Sequence, residues 1–189
     1  TLGGPIIKNK LFFFINYENT NKTYPNLNGY RQSGSRVNPD EADDVMQKIK
    51  DMAQRQGLSY DGTFANPDIY TKSNKFGAKI DWNINDFNKF SFRWSYVDAK
   101  QLNVVSSASS LNDDHYYFPF TSKTNSFTAE LQSRLSPVVS NEARVSYVRV
   151  RDKRNVSSAF PMISLQVTGG SVNIGNERSS MANSLDQDI

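Results

Sequence analysis

Cysteine is absent from the 189 residues, which removes disulfides, thiolate nucleophiles and cysteine-ligated zinc together. Histidine occurs once, as His115, so a histidine-rich metal centre is excluded as well. No run of about 18 apolar residues occurs, which rules out a transmembrane helix but not transmembrane β-strands, whose signal is alternation. An excess of one charge is missing too: 22 Lys and Arg face 19 Asp and Glu, and the net +3 is too small to argue for nucleic acid. No serine-nucleophile motif, catalytic carboxylate pair, phosphate loop or glycine-rich dinucleotide fingerprint is found. The segment therefore reads as neither an enzyme nor a cofactor binder. The opening "TLGGP" has no initiator methionine and no secretory signal, so the chain reads as a piece of a longer one.

What is present is aromatic and alternating. Twelve Phe and nine Tyr supply most of the aromatics, a balance that favours strands. An extended Leu11–Glu18 puts Leu11, Phe13, Ile15 and Tyr17 on one side and Phe12, Phe14, Asn16 and Glu18 on the other. The period of two recurs as Phe76, Ala78, Ile80 and Trp82, resumes after the turn Asn85–Asn88 as Phe90, Phe92, Trp94 and Tyr96, and returns as Phe127, Ala129 and Leu131. After a break at Ser136–Asn141 come Ala143, Val145 and Tyr147, beyond which Val148 and Val150 sit on the opposite parity. A bulge, or the end of the apolar surroundings, is expected near Tyr147. Strands are read near 1–7, 11–19, 73–83, 89–98, 124–135 and 141–152, with a further one at Met162–Val167. Pro5 belongs at a strand end or a bulge, because it cannot donate to a ladder.

The connections alternate in length, short at Ile7–Leu11, Asn83–Lys89 and Ser136–Asn141 and long at Asn19–Ser73 and Ala99–Lys123. Long irregular connections argue against a compact soluble domain, whereas short turns at one end and long loops at the other are the pattern of an outer-membrane barrel. The first long loop carries a helix near 39–56, with Asn38 as N-cap, Pro39 at the first position, Glu41 closing a capping box and Gly57 as terminator. Its apolar stripe is Val45, Ile49 and Met52, with Met46 and Ala53 beside it.

"TLGGPIIKNKLFFFINYE" and "NKFGAKIDWNINDFNKFSFRWSYVDA" resemble early strands and a hairpin of TonB-dependent outer-membrane receptors, in the Oar-like branch with a carboxypeptidase-regulatory-like N-terminal domain. "FTAELQSRLSPVVSNEARVSYVRVRD" is similar to the next hairpin, less specifically. The resemblance implies an all-β fold: part of an antiparallel transmembrane β-barrel of about 22 strands, with short periplasmic turns, long extracellular loops and one short loop helix. It also implies import of a nutrient, whose identity it leaves open. The implied partners are outer-membrane lipid, the receptor's own plug domain and remaining strands, TonB through the region upstream of Thr1, and a surface lipoprotein lid.

In such a barrel the rows Leu11, Phe13, Ile15 and Tyr17; Phe76, Ile80 and Trp82; Phe90, Phe92, Trp94 and Tyr96; Phe127 and Leu131; and Val145 and Tyr147 face lipid directly. Lys8, Asn9 and Lys10 mark the water boundary, and Phe12 and Phe14 face the lumen. Trp82 at one end and Tyr17, Trp94 and Tyr96 toward the other would form two interfacial girdles.

Other groups have a sharp reading and a plain one. His115 beside Asp113 and Asp114 lacks the further ligands zinc needs, so no metal is assigned. The acidic Asp40, Glu41, Asp43 and Asp44 suit calcium, but more simply complement a helix dipole. Tyr116, Tyr117, Phe118 and Phe120 are the ligand-contact candidates, with packing of their own loop as the alternative. Arg144, Arg149, Arg151, Lys153 and Arg154 could meet lipopolysaccharide phosphates or nucleic acid, and more simply form a solvated or lumen-facing row; nucleic acid is not expected as a partner. The competing fold is a soluble or surface-exposed β-sandwich used in binding, its aromatic faces forming an inter-sheet core.

Overall fold

The computed structural model describes residues 1–155, 158–177 and 184–189. Seven strands form one antiparallel sheet: β1 (Leu2–Ile7), β2 (Leu11–Tyr24), β3 (Ile69–Asn85), β4 (Asn88–Asn103), β6 (Phe118–Ser136), β7 (Val139–Arg154) and β10 (Ser184–Asp188), adjacent in that order. The sheet is a meander whose ends, β1 and β10, do not meet. A short β5 (Ser110–Asn112), β8 (Ile163–Val167) and β9 (Gly170–Ile174) form a separate three-stranded sheet. The one helix among the described residues, α1, spans Pro39–Arg55.

The central strands extend well past their expected bounds, mostly toward the long loops: β2 continues to Tyr24, β3 begins at Ile69, β4 ends at Asn103 and β6 begins at Phe118. The added stretches open on polar residues, Thr20–Thr23, Thr71–Lys72, Lys100–Gln101 and Thr121–Lys123, so alternation of hydrophobicity fades there while backbone pairing continues. Three register shifts occur, at Pro5/Ile7, Asn83/Asn85 and Arg134/Ser136, all beside the short turns. Pro5 thus sits at an irregularity, where its missing donor is tolerated. Pairing of β6 with β7 runs without a shift past Tyr147, so no bulge lies there; the change in parity marks the end of the apolar surroundings.

The short turns are built by asparagines. Asn9 takes φ +59° between Lys8 and Lys10, a conformation asparagine tolerates. Asn85 Oδ1 accepts the amide N–H groups of Phe87 and Asn88, both at 2.9 Å, forming an Asx-type turn.

α1 starts as its sequence dictates, with Asn38 Oδ1 accepting from the backbone N–H of Asp40 at 3.0 Å and of Glu41 at 3.3 Å. The reciprocal half of the capping box does not form. Asn38 N–H instead donates to Thr168 O at 2.9 Å, and Glu41 accepts from Thr168 N–H at 2.8 Å, so the helix start is tied to the β8–β9 turn. The buried stripe is Ala42, Met46, Ile49 and Ala53, whereas Met52, expected inside, is exposed. Gly57, at φ +71°, ends the helix.

The main hydrophobic core among the described residues lies in the loops. It joins Val37, Ala42, Met46, Ile49, Ala53 and Tyr60 of the first long connection to Leu111 of the second and Val172 and Ile174 of the third. These connections therefore form one small domain at the long-loop end of the sheet. The backbones meet where Arg36 N–H donates to Ala108 O at 2.7 Å and Ser171 N–H to Ser109 O at 2.9 Å. Gly169, at φ +86°, completes the junction, since a Cβ there would run into the Arg36 carbonyl.

Candidate functional site

Directly paired residues in an antiparallel sheet share a face, so the register of β2, β3, β4, β6 and β7 sorts every side chain to one of two sides. Four rows result on one side. They are Leu11–Trp82–Phe90–Leu131–Ala143, Phe13–Ile80–Phe92–Ala129–Val145, Ile15–Ala78–Trp94–Phe127–Tyr147 and Tyr17–Phe76–Tyr96–Asn125–Arg149. All fifteen residues expected to face lipid fall on this one side. Phe76, Trp94, Phe127 and Tyr147 carry ring contacts across four strands, with centroids 5.2, 6.4 and 6.3 Å apart. Trp82 lies in the row nearest the short turns and Tyr17 and Tyr96 in the farthest; Trp94 is one row nearer the middle than an interfacial girdle requires.

No described residue covers this side. Val145 is 68% exposed, Tyr17 62% and Trp82 41%. The three-stranded sheet packs on α1, not on the long sheet, so the inter-sheet core of a β-sandwich is not formed.

The opposite side carries Phe12 and Phe14 at its β1 end and is otherwise mostly polar. Lys79 pairs with Asp81 at 2.8 Å, Lys75 with Glu18 at 2.8 Å, and Arg144 with Glu130 at 2.8 Å. Hollows in the sheet are lined mainly by residues of this side, Phe14, Asn16, Lys79, Arg93, Glu130 and Gln132 among them, with Phe76, Trp82, Phe90 and Trp94 of the apolar side at their floors and edges; this hollowed side is called the concave one and the apolar side the convex one. A sheet with an apolar convex side and a polar concave side is the wall of a barrel whose outside is not water.

The basic run divides between the two sides. Arg144 faces the concave side, as does Arg154, whose guanidinium lies 5.1 Å from the Phe118 ring centroid. Arg149, Arg151 and Lys153 lie instead on the convex side, beyond the apolar rows. The lumen-facing reading thus holds only for Arg144 and Arg154, while Arg149, Arg151 and Lys153 fit the solvated one.

In the loop domain Asp113 is fully buried. Its carboxylate accepts the Tyr116 N–H at 3.1 Å and the Gly175 N–H at 3.3 Å and contacts the Tyr60 hydroxyl. Burial pushes its pKa up to about 7, with neighbouring Asp114 adding to the rise and the Gly175 and Tyr116 amides opposing it. Asp114 is engaged by Thr63, through N–H at 2.8 Å and Oγ1 at 2.9 Å. His115 Nε2 lies 3.2 Å from Asp61, and its ring meets Tyr60 edge-on. Asp113 and His115 thus share Tyr60, one at its hydroxyl and the other at its ring edge, while the remaining polar contacts of the three side chains go to different residues and do not converge on one point. Asp40 and Asp43 are paired with Arg31, at 2.8 and 3.3 Å, and Glu41 is engaged by Thr168. Each of these three has a protein partner.

Of the four aromatic ligand-contact candidates, Tyr116, Tyr117 and Phe118 are buried. The Tyr117 hydroxyl donates to Asn112 O at 3.0 Å. Phe120 is half-buried and lies on the concave side, paired with Gln101 and Arg154. The sequence reading missed the Tyr60–Asp113–Gly175 junction and the convergence of three loops on Leu111, Val172 and Ile174. The only local signal was Gly169–Gly170, read as a turn alone.

A family model described as an outer membrane beta barrel domain matches residues 19–185. No curated protein and no solved structure matches the chain.

Proposed function

Since the chain belongs to the outer membrane beta barrel domain family, and so to a protein of the outer membrane, we propose that it forms the early wall and outer loops of a TonB-dependent importer of a scarce nutrient. The observation that carries this reading is the sorting by register: an uncovered apolar convex side for acyl chains, and a polar concave side for a lumen. The fifteen convex residues are its lipid contacts. Phe12 and Phe14, apolar on the concave side, offer a seat to a plug domain supplied by the same polypeptide. The similarity of "GGPIIKNKLFFFINYE" to the early strands of TonB-dependent receptors supports the importer over other outer-membrane barrels.

In this reading the protein performs no catalysis; its mechanism is capture of a solute by the extracellular loops, followed by TonB-driven rearrangement of the plug. The shared core of the loop domain holds three loops in one shape, which favours capture by a preformed surface. Tyr116, Tyr117 and Phe118 serve as the packing that fixes this surface. Phe120, half-exposed on the lumen side, is the one of the four with area to offer a passing solute. A surface lipoprotein lid would contact the outer surface of the same loop domain.

The test compares growth of a strain lacking the full-length protein with one lacking TonB, across a panel of limiting peptides, glycans and metal chelates. The importer reading expects one nutrient whose use fails in both strains. A deletion strain unaffected on every nutrient, or impaired in a way TonB loss does not reproduce, would overturn it.

A further inference from the structure

Beyond the fourth apolar row, the convex side turns polar while the strands continue. The next row reads Asn19, Asn74, Asp98, Lys123, Arg151 and Asp186, and the one after it Asn21, Lys72, Lys100, Thr121 and Lys153. Acidic and basic groups are not equally matched there. Asp98 is taken by Lys123 at 3.9 Å, Asp186 by Arg151 at 3.0 Å, and Asp188 by Arg151 and Arg149 at 3.3 and 3.7 Å. The three acids of this belt are thereby engaged. Lys72, Lys100 and Lys153 form no ion pair among the described residues, and all three are exposed.

Their placement is costly for a sheet that meets only water. Lys72 and Lys100 are directly paired across β3 and β4, and like charges directly opposite destabilise a strand pair. The Tyr70 ring lies near both, its centroid 5.3 and 5.9 Å from the two ammonium nitrogens, and a ring relieves part of the repulsion without supplying a counter-charge. An anion held between them would remove the penalty.

We propose that Lys72, Lys100 and Lys153 bind the phosphate groups of a phosphorylated glycolipid in the outer leaflet of the outer membrane. The row stands two alternations past the Tyr17–Phe76–Tyr96 row, about 14 Å along a strand and roughly 10 Å along the membrane normal once the strand tilt is included. That is headgroup depth for a protein whose apolar rows meet acyl chains. It lies at the long-loop end, which is the outer face of such barrels. The three ammonium groups span three strand spacings, about 14 Å, so the row suits a headgroup bearing more than one phosphate. Flexible lysine stems can reach down to it while lying along the strand surface.

The experiment uses full-length protein in detergent micelles, titrated with diphosphorylated lipid A and with the same lipid stripped of its phosphates. The wild type should prefer the phosphorylated lipid. Lys72→Gln, Lys100→Gln and Lys153→Gln together should weaken that binding by roughly fivefold per lysine, on the order of a hundredfold in low salt. Lys8→Gln, Lys10→Gln and Lys48→Gln, at the short-turn end and on α1, should leave it unchanged. Equal affinity of the wild type for the two lipids would overturn the proposal, and this arm decides even if the triple variant fails to fold. So would a folded triple variant that binds phosphorylated lipid as the wild type does, or displacement by equimolar inorganic phosphate, which would make the row a free-anion site.

Discussion

Val145 is the position at which lipid and water predict most different outcomes. It lies in the second of four apolar rows, near the middle of the belt, and is 68% exposed. Val145→Arg therefore creates no cavity and meets no packed neighbour, and its cost is almost wholly that of transferring the side chain. On a surface facing water such a change stays within about 0.5 kcal/mol. Facing acyl chains near the bilayer midplane, arginine costs about 2–4 kcal/mol. Ser146→Arg, one residue on and facing the concave side, is the internal control and should stay within the smaller range. The assay is reversible guanidinium unfolding of the full-length barrel in phospholipid vesicles, followed by tryptophan fluorescence. Equal costs for the two substitutions, both under about 0.5 kcal/mol, would refute the claim that the convex side meets lipid.

The loop domain gives three further expectations. Asp113, lifted to about 7 in the folded loop from an ordinary value near 4, favours folding when protonated; its contribution is complete below about pH 4 and is lost as pH rises through 7. Hydrogen-exchange protection of the Leu111 and Val172 amides, corrected for intrinsic rate, should thus be higher at pH 5 than at pH 8, and Asp113→Asn should flatten the difference; protection that rises with pH would contradict this. Gly169→Ala must place a Cβ at φ +86° against the Arg36 carbonyl, at a cost of at least about 1–2 kcal/mol for the backbone alone, and should make the loop domain sensitive to protease while the strands stay resistant. Asn38→Ala removes the acceptor of two helix-start amides and should lower the loop domain's stability by about 1 kcal/mol, read by the same exchange measurement.

The sheet was legible because its signal is local: Phe76 to Trp82 and Phe90 to Tyr96 alternate with charged or small residues, and a period of two assigns each to a side. The strand ends were not, because past Tyr17 both parities are polar and hydrophobicity no longer reports pairing. Of the two plain readings of the basic run, only the lumen-facing one fails for Arg149, Arg151 and Lys153, since parity puts them on the side of the apolar rows, where they stand solvated beyond those rows. The loop domain was illegible for a different cause. Leu111 sits alone in "SSASSLNDD" and Val172 and Ile174 in "GGSVNIGN"; neither segment carries a periodic face, and the core exists only once three distant loops meet. The aromatic cluster Tyr116–Phe118 was found as a cluster, but composition does not separate an exposed anchor from a buried prop.

The most direct test is a nitroxide scan along β4 of the full-length protein in bilayers, with single Phe90→Cys, Phe92→Cys, Trp94→Cys and Tyr96→Cys labels set against Lys89→Cys, Ser91→Cys, Arg93→Cys and Ser95→Cys. The first set should be open to dissolved oxygen and closed to a water-soluble nickel chelate, with the contrast vanishing by Lys100. Finding the first set shielded from oxygen, or as open to nickel as the second, would contradict a lipid-facing wall.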